Sequence, residues 1–347
     1  MTGMTGTSAI GEQLPDVEEL LAAAHVVRVP LRVRFRGVTG REVLLLRGPF
    51  GWGEFGPFLE YDDTEAARWL RSAIEAAWQP PVATVRQQVP VNATVPAVRP
   101  DQVAGVLAGF DGCRTAKVKV AEPGQSLADD IARVAEVRRL LPTGGRIRVD
   151  ANGAWGLDAA ETALTALAGY DLEYAEQPCA GLAELGELRH RLGGRGVPVP
   201  IAVDESVRKA DDPLRVAVAG AADVVVIKVA PLAGVRRALA VAERLGTDHG
   251  LSVVVSSALD TSVGLSAGVR LAAALPELPY ACGLGTAALL SDDVSAPPLR
   301  PSAGVVAVRD ERSTVDDEAL RALAAPADRR AWWCSRLRRC HALLRTA

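Results

Sequence analysis

The sequence predicts an α/β fold: a (β/α)8-type (modified TIM) barrel, an N-terminal α+β capping domain, and a C-terminal segment that returns to the cap. Three observations predict it. Between roughly residues 90 and 290, eight short apolar stretches alternate with stretches of helical period, the pattern of parallel βαβ units. Charged residues recur where those stretches end: Lys119 to Asp150 is 31 residues, Asp150 to Glu176 is 26, Glu176 to Asp204 is 28 and Asp204 to Lys228 is 24. That beat fits roughly 250 residues shared among eight units. Finally, 347 residues, 49% of them hydrophobic, suffice for a barrel with flanking modules.

Taken in order, residues 1–95 hold the cap. "LRVRFRG" and "REVLLLRG" read as antiparallel strands, the Gly/Pro-rich "GPFGWGEFGPFLEYDD" as a loop, and "DTEAARWLRSAIEAAW" as a helix capped by Asp63 or Thr64. Residues 96–290 are assigned to the barrel, whose strands, beginning just before that boundary, are "PVNATV", "TAKVKV", "RIRVDAN", "LEYAEQP", "PIAVDES", "ADVVVIKV", "LSVVVSSA" and "PYACGLGT". Helices such as "LADDIARVAEVRRLL" lie between them. Residues 291–347 open Pro-rich and end in "ADRRAWWCSRLRRCHALLR", whose Trp332, Trp333 and Leu337 are expected to pack on the cap.

Net charge is −3 and aromatic content 4%, so neither a basic surface nor a base-stacking platform points to nucleic acid. Five scattered cysteines without a CxxC pair fit reduced thiols rather than a disulfide framework. The N-terminal stretch lacks the basic and apolar regions of an export signal, and no apolar run is long enough to cross a bilayer. These readings place the chain in the cytoplasm, away from membranes. They leave its oligomeric state open, with a monomer among the options.

Three strands end in acids: "RIRVDAN" in Asp150, "LEYAEQP" in Glu176 and "PIAVDES" in Asp204. The C-terminal rim of barrel strands is where active sites assemble, so the three carboxylates are expected to converge. Crowded carboxylates repel one another unless positive charge lies between them. An all-oxygen, all-anionic set favours a hard cation, Mg2+, over zinc, which prefers His or Cys. A single such Asp reads equally well as a helix cap; three on consecutive strands, one a Glu, favour the metal.

"TAKVKV" places Lys117 and Lys119 on one face of a strand, and Lys228 ends "ADVVVIKV" on the far side of the acids. A buried ammonium near other positive charge has its pKa lowered, and a lysine so tuned can take a proton at neutral pH. Lys117 reads either as the group that depresses Lys119 or as a counter-charge to the carboxylates. With a cation holding a substrate carboxylate, one lysine would remove the α-proton, and the other would return one or stay cationic against the enediolate. The reaction class is proton abstraction α to the carboxylate of a small molecule.

In these residues the sequence resembles the enolase superfamily; the Lys-x-Lys strand and the lysine on strand six are similar to its muconate-lactonizing subgroup. His25, His190, His249 and His341 all fall outside the predicted strand ends. More narrowly, "GWGEFGPFLEYDD", "KVKVAEPG", "RVDANGAW", "EQPC", "VDES" and "SSALDTSVGL", in that order, resemble the actinobacterial o-succinylbenzoate synthases. The resemblance implies Mg2+-dependent dehydration of 2-succinyl-6-hydroxy-2,4-cyclohexadiene-1-carboxylate to 2-succinylbenzoate in menaquinone biosynthesis. It also implies that Lys119 takes the α-proton and then protonates the departing hydroxyl, that Lys228 stays cationic, and that Asp150, Glu176 and Asp204 hold the metal.

Further residues are expected at the site. Arg148, two before Asp150, contacts substrate or forms a core salt bridge. Asn152 hydrogen-bonds substrate or caps a helix. Glu205 stands behind a lysine. Ser256, Ser257, Gly283, Leu284 and Gly285 offer backbone N–H groups to the succinyl tail, or are small for packing. Phe55, Phe58, Leu59 and Tyr61 form a lid. Two rival readings stay open: an N-succinylamino acid racemase or dual-function enzyme using the same lysines, and a non-catalytic metal-binding scaffold.

Overall fold

The computed structural model describes residues 14–35, 37–197, 199–208, 213–309 and 315–346. Residues 1–13, on which the expectation about an export signal rests, lie outside them. The cap is an antiparallel sheet of β1 (Ala24–Phe35), β2 (Val38–Gly48) and β3 (Gly51–Phe55). Its "LLL" run is buried throughout because both faces of the sheet are covered. Leu44 and Leu46 pack under the cap helix Asp63–Trp78 and the C-terminal helix Ala327–Leu344, while Val43 and Leu45 face Val263 and Leu290 of the barrel side. The two-residue pleat thus feeds two cores from one strand. The cap helix starts one residue earlier than expected: Asp62 is its N-cap, accepting from the Glu65 N–H at 2.8 Å. Three cap-forming residues in a row leave that choice to the approach of the loop.

Strand β4 (Gln88–Pro90) precedes the barrel. A parallel sheet then runs β5 (Ala93–Val95), β6 (Thr115–Lys119), β7 (Arg146–Asp150), β8 (Leu172–Glu176), β9 (Ile201–Val203), β10 (Val224–Ile227) and β11 (Ser252–Val255) in spatial order. The expected eighth strand is reduced to a seam. Cys282 bridges to Val91 and Gly283 to Ser256, through Cys282 N–H to Pro90 O (2.7 Å), Asn92 N–H to Cys282 O (3.0 Å) and Gly283 N–H to Val255 O (2.8 Å). "PYACGLGT" has no β-branched run to extend a ladder, and a side chain at Gly283 would collide with the Ser256 hydroxyl. Two residues still close the ring. Strand β8 carries a bulge at Glu173: Ile147 lies opposite Leu172, but Arg148 lies opposite Tyr174.

The C-terminal segment returns twice. Strand β12 (Val305–Ala307) pairs with β4, and the last helix buries Trp333, Leu337 and Cys340 in the cap core. Trp333 packs edge-on against Phe55 at 5.6 Å, and Arg336, almost wholly buried, donates to the carbonyls of Phe58 and Tyr61.

Cap and barrel also meet at Glu54 on β3. Its Oε2 accepts from Thr261 N (3.1 Å), Thr261 Oγ1 (2.5 Å) and Gly264 N (3.1 Å) at the start of the helix Ser262–Ala274. Burial, and then the nearby Asp260 charge, push the Glu54 carboxyl from 4.5 up to about 8, against the opposing pull of Thr261 and Arg41. Unfolded, this group ionises near its ordinary value; folded, it keeps its proton to about 8. Its stabilising contribution is therefore full below the unfolded value and is lost as pH rises towards the folded one. Glu54→Gln, which cannot ionise, should melt progressively higher than the parent as pH rises from about 5 to 9, reaching a gap of about 2–4 °C. Melting curves across that range check this; a pH-independent gap refutes it.

Candidate active site

Pleat alternation sets the site. On β6, Lys117 and Lys119 share the inward face; on β7, Arg148 and Asp150 do; on β8, Tyr174 and Glu176 do. Asp204 directly follows β9 and Lys228 directly follows β10. All six charged ends are buried. Lys117 Nζ lies 2.9 Å from Glu176 Oε1 and 3.2 Å from Asp150 Oδ2. Lys119 Nζ donates to Asp150 Oδ2 at 2.6 Å and to Asn152 Oδ1 at 2.5 Å, and lies 5.5 Å from the centre of the Phe35 ring. Lys228 pairs with Asp204. Asn152 in turn donates from Nδ2 to Glu205 Oε1 at 3.1 Å, so Glu205 reaches Lys119 through an amide rather than directly.

These contacts divide the electrostatic work. Burial opposes ionisation of Lys117, but Glu176 and Asp150 outweigh it and raise its pKa: it is a counter-charge. Burial lowers Lys119; Asp150 resists, and the positive charge of Lys117 adds to the lowering. Lys117 thus stands beside both acids and adds to the lowering at Lys119. Burial would raise Asp150, yet Lys119 and Lys117 hold it well below the carboxylate range. Glu176 goes the other way: burial first, then the charge of Asp150, lift it to about 7 in spite of Lys117, with Asp204 adding to the lift. Three lysines face these three acids, and even so burial and its acidic neighbours keep Glu176 reluctant to ionise.

The donor set is oxygen-only, and the unrelieved repulsion at Glu176 is what a hard dication would offset; the residues fit such an ion. Among the described residues, however, no three Asp, Glu, His or Cys side chains form a ready-made metal-holding group. The acids meet electrostatically, but their oxygens are turned onto the lysine ammonium groups.

Above the charges lies a small cavity. Lys117, Lys119, Asp150, Asn152, Lys228, Ser256, Ser257 and Gly283 line it. So do Phe35, Thr94, Ala258, Leu259 and Thr286, which sequence reasoning missed. Phe35 ends a cap strand, and nothing local says it overhangs the barrel. Gln177 was missed too, although "EQP" marked the spot. Its Oε1 accepts from the backbone N–H groups of Asp204 (3.0 Å) and Ser206 (3.2 Å), which fixes Asp204. Asn152 (φ 48°) and Gln177 (φ 40°) adopt left-handed backbone just after their strands, the strained geometry that functional sites accumulate.

Other expectations need correction. Arg148 does not reach the cavity. It is fully buried one layer down, donating to Glu173 Oε2 (2.5 Å), Asn92 Oδ1 (3.2 Å) and Ala281 O (2.7 Å), with its guanidinium 4.6 Å from the centre of the Tyr174 ring. The bulge brings Glu173 to it, and the alternative of a core salt bridge describes it. Leu284 is buried in the main core, and a side chain at Gly285 would press on Asn92 O at 3.0 Å; both serve packing. Phe55, Phe58 and Tyr61 are not a lid over the cavity. They are buried in the cap, Phe58 beneath Arg41 and against Tyr61, and only Leu59 is exposed.

The family description "Enolase C-terminal domain-like" matches residues 102–312, and "Enolase N-terminal domain-like" matches residues 26–77. An o-succinylbenzoate synthase of Mycolicibacterium smegmatis is 56% identical over 332 residues, covering 95% of this chain and 99% of that protein. The chain belongs to the o-succinylbenzoate synthase family. A second member, from Mycobacterium tuberculosis, is 56% identical over 95% of this chain and 97% of its own length. Among solved structures, muconate lactonizing enzyme of Pseudomonas fluorescens superposes with a TM-score of 0.73 at 21% identity, covering 87% of this chain and 98% of its own. N-succinyl Arg/Lys racemase of Bacillus cereus gives 0.71 at 18%, over 87% and 97%. Those two likenesses establish the enolase-type fold: a cap and a barrel.

The placement of Arg148 has a measurable consequence. Arg148→Met strands the Glu173 carboxylate in the barrel, so the chemical-denaturation midpoint should fall by the equivalent of ~3 kcal/mol. Affinity for a cavity ligand, measured by calorimetry, should change less than about threefold. A large affinity loss at unchanged stability would return Arg148 to the substrate.

Proposed function

We propose that the chain is an o-succinylbenzoate synthase, a hydro-lyase that converts 2-succinyl-6-hydroxy-2,4-cyclohexadiene-1-carboxylate to 2-succinylbenzoate in menaquinone biosynthesis, in the cytoplasm. The supporting observation is Lys119: buried, its ammonium disfavoured, gripped by Asp150 and Asn152, and facing the same cavity as Lys228. A lysine whose pKa is lowered is a readier proton acceptor than a free one.

Neutral Lys119 takes the proton from the carbon next to the ring carboxylate, and the C–H electron pair moves into the carboxylate as an enediolate. The pair then returns to form the ring double bond, the C–O bond breaks, and the Lys119 ammonium gives its proton to the departing hydroxyl. Proton and hydroxyl leave as water, so the lysine is reset. Lys228 remains an ammonium facing the developing negative charge. Asn152, tied to Glu205, keeps Lys119 aimed. Asp150, Glu176 and Asp204 would hold a divalent cation, Mg2+ by the hardness of the donors, which stabilises charge on the substrate carboxylate.

Relatives at 56% identity that carry this name favour dehydration over the racemase alternative, whose structural likeness stands at 18%. The lysines on both flanks of the acids are not needed by a passive scaffold.

A spectrophotometric assay on the cyclohexadiene carboxylate should show aromatisation that stops with chelator and resumes with Mg2+. Lys119→Ala should lower kcat by roughly 10^3 or more while product affinity stays within about threefold. Undiminished turnover in that variant removes the mechanism. Alpha-deuterium exchange into an N-succinyl amino acid, leading to both enantiomers, would instead establish the racemase.

A further inference from the structure

The loop after β11 forms one wall of the catalytic cavity, through Ser256, Ser257, Ala258 and Leu259. Its far half is held from two sides: Leu259 is buried in the main core, and the cap reaches the loop with hydrogen bonds. Leu259 has a left-handed backbone (φ 62°), a conformation that persists in a non-glycine residue only where surroundings impose it. Part of those surroundings comes from the cap. Arg41 on β2 donates from Nε to Leu259 O at 3.3 Å and, through Nη2, to Gly56 O. Glu54 on β3 gathers Thr261 N, Thr261 Oγ1 and Gly264 N onto one oxygen. Asp260, between them, accepts from Ala258 N at 3.0 Å. A side chain at Gly264 would sit 3.0 Å from Glu54 Oε2 and closer still to the Asp260 β-carbon, so the carboxylate fits only against bare backbone. Behind the loop is a second small cavity, which Glu54 and Asp260 line together with Lys228, Ser256 and Ala258. The last three line the catalytic cavity as well, so the clamp stands directly behind that wall.

We propose that Glu54 is a positioning residue for substrate binding: from the cap, it fixes the loop 256–261 in the shape that makes the cavity wall. The inference rests on the dehydratase reading for its substrate, and not for its structural half. Because Lys119 and the acids stand on other strands, losing the clamp should cost binding more than chemistry.

Steady-state kinetics and amide hydrogen exchange test it on the full chain. In Glu54→Ala, KM for the cyclohexadiene carboxylate should rise about tenfold with kcat within about threefold, and amides of residues 258–264 should exchange about tenfold faster. Glu54→Gln keeps an accepting oxygen and should restore all three values. Unchanged KM in Glu54→Ala overturns the proposal, whether or not exchange accelerates. So does a fall in kcat at constant KM, or a Gln variant as impaired as Ala. Should Glu54→Ala not fold, Thr261→Val, which removes one of the three donors, should show a smaller rise in both KM and exchange; no change in either overturns the proposal. A parent enzyme that fails to dehydrate the diene sinks the functional reading instead, and the exchange measurement then judges the clamp by itself.

Discussion

Six buried charges at the mouth of the barrel hold one another in place. Lys117 and Lys119 on β6 lie across Asp150 on β7 and Glu176 on β8, and Lys228 beside β10 lies on Asp204 beside β9. No member is tolerable alone, since a stranded buried charge costs several kcal/mol. The pairs therefore cross-link neighbouring strands at their C-terminal ends. Two like charges on one face of β6 make sense only in this lattice, where acids outpull burial at one lysine and fail to do so at the other. The same chemistry that joins the strands leaves Lys119 ready to exchange a proton.

The cap contributes rigidity to this centre. Its aromatic loop is fastened by Arg41 and, from the C-terminal helix, by Arg336, and the Phe35 ring reaches from the cap to Lys119. Cap, C-terminal helix and barrel thus share cores and ion pairs. The roof of the cavity belongs to the folded body, and preorganisation rather than closure is what these contacts support.

Much of this was legible in the chain. Parallel strands announce themselves by short apolar runs, and a charge at the end of such a run has only the rim to go to; the acids, Lys119 and Lys228 followed. What escaped depended on partners distant in sequence or on irregular backbone. Phe58 looked like a mobile aromatic because its neighbour Arg336 lies 278 residues away. Arg148 looked inward and functional because alternation placed it under Asp150, yet its partner Glu173 should by the same alternation have faced outward. The eighth strand was read at full length because its apolar residues are real; they fill the core instead of extending a ladder. Gln177, buried and bonded to two backbone amides beyond the next strand, carries no local sign of that task.

The supernumerary Glu173 has an implication for how such a barrel changes over time. Leu172 already lies opposite Ile147 and Tyr174 opposite Arg148, so excising the residue between them would leave a regular ladder, with every catalytic side chain still facing inward. The edit would be invisible to topology and felt only as a missing anion beneath Arg148. A lineage could therefore lose or acquire this counter-ion in a single codon event, provided that the arginine changed in step with it.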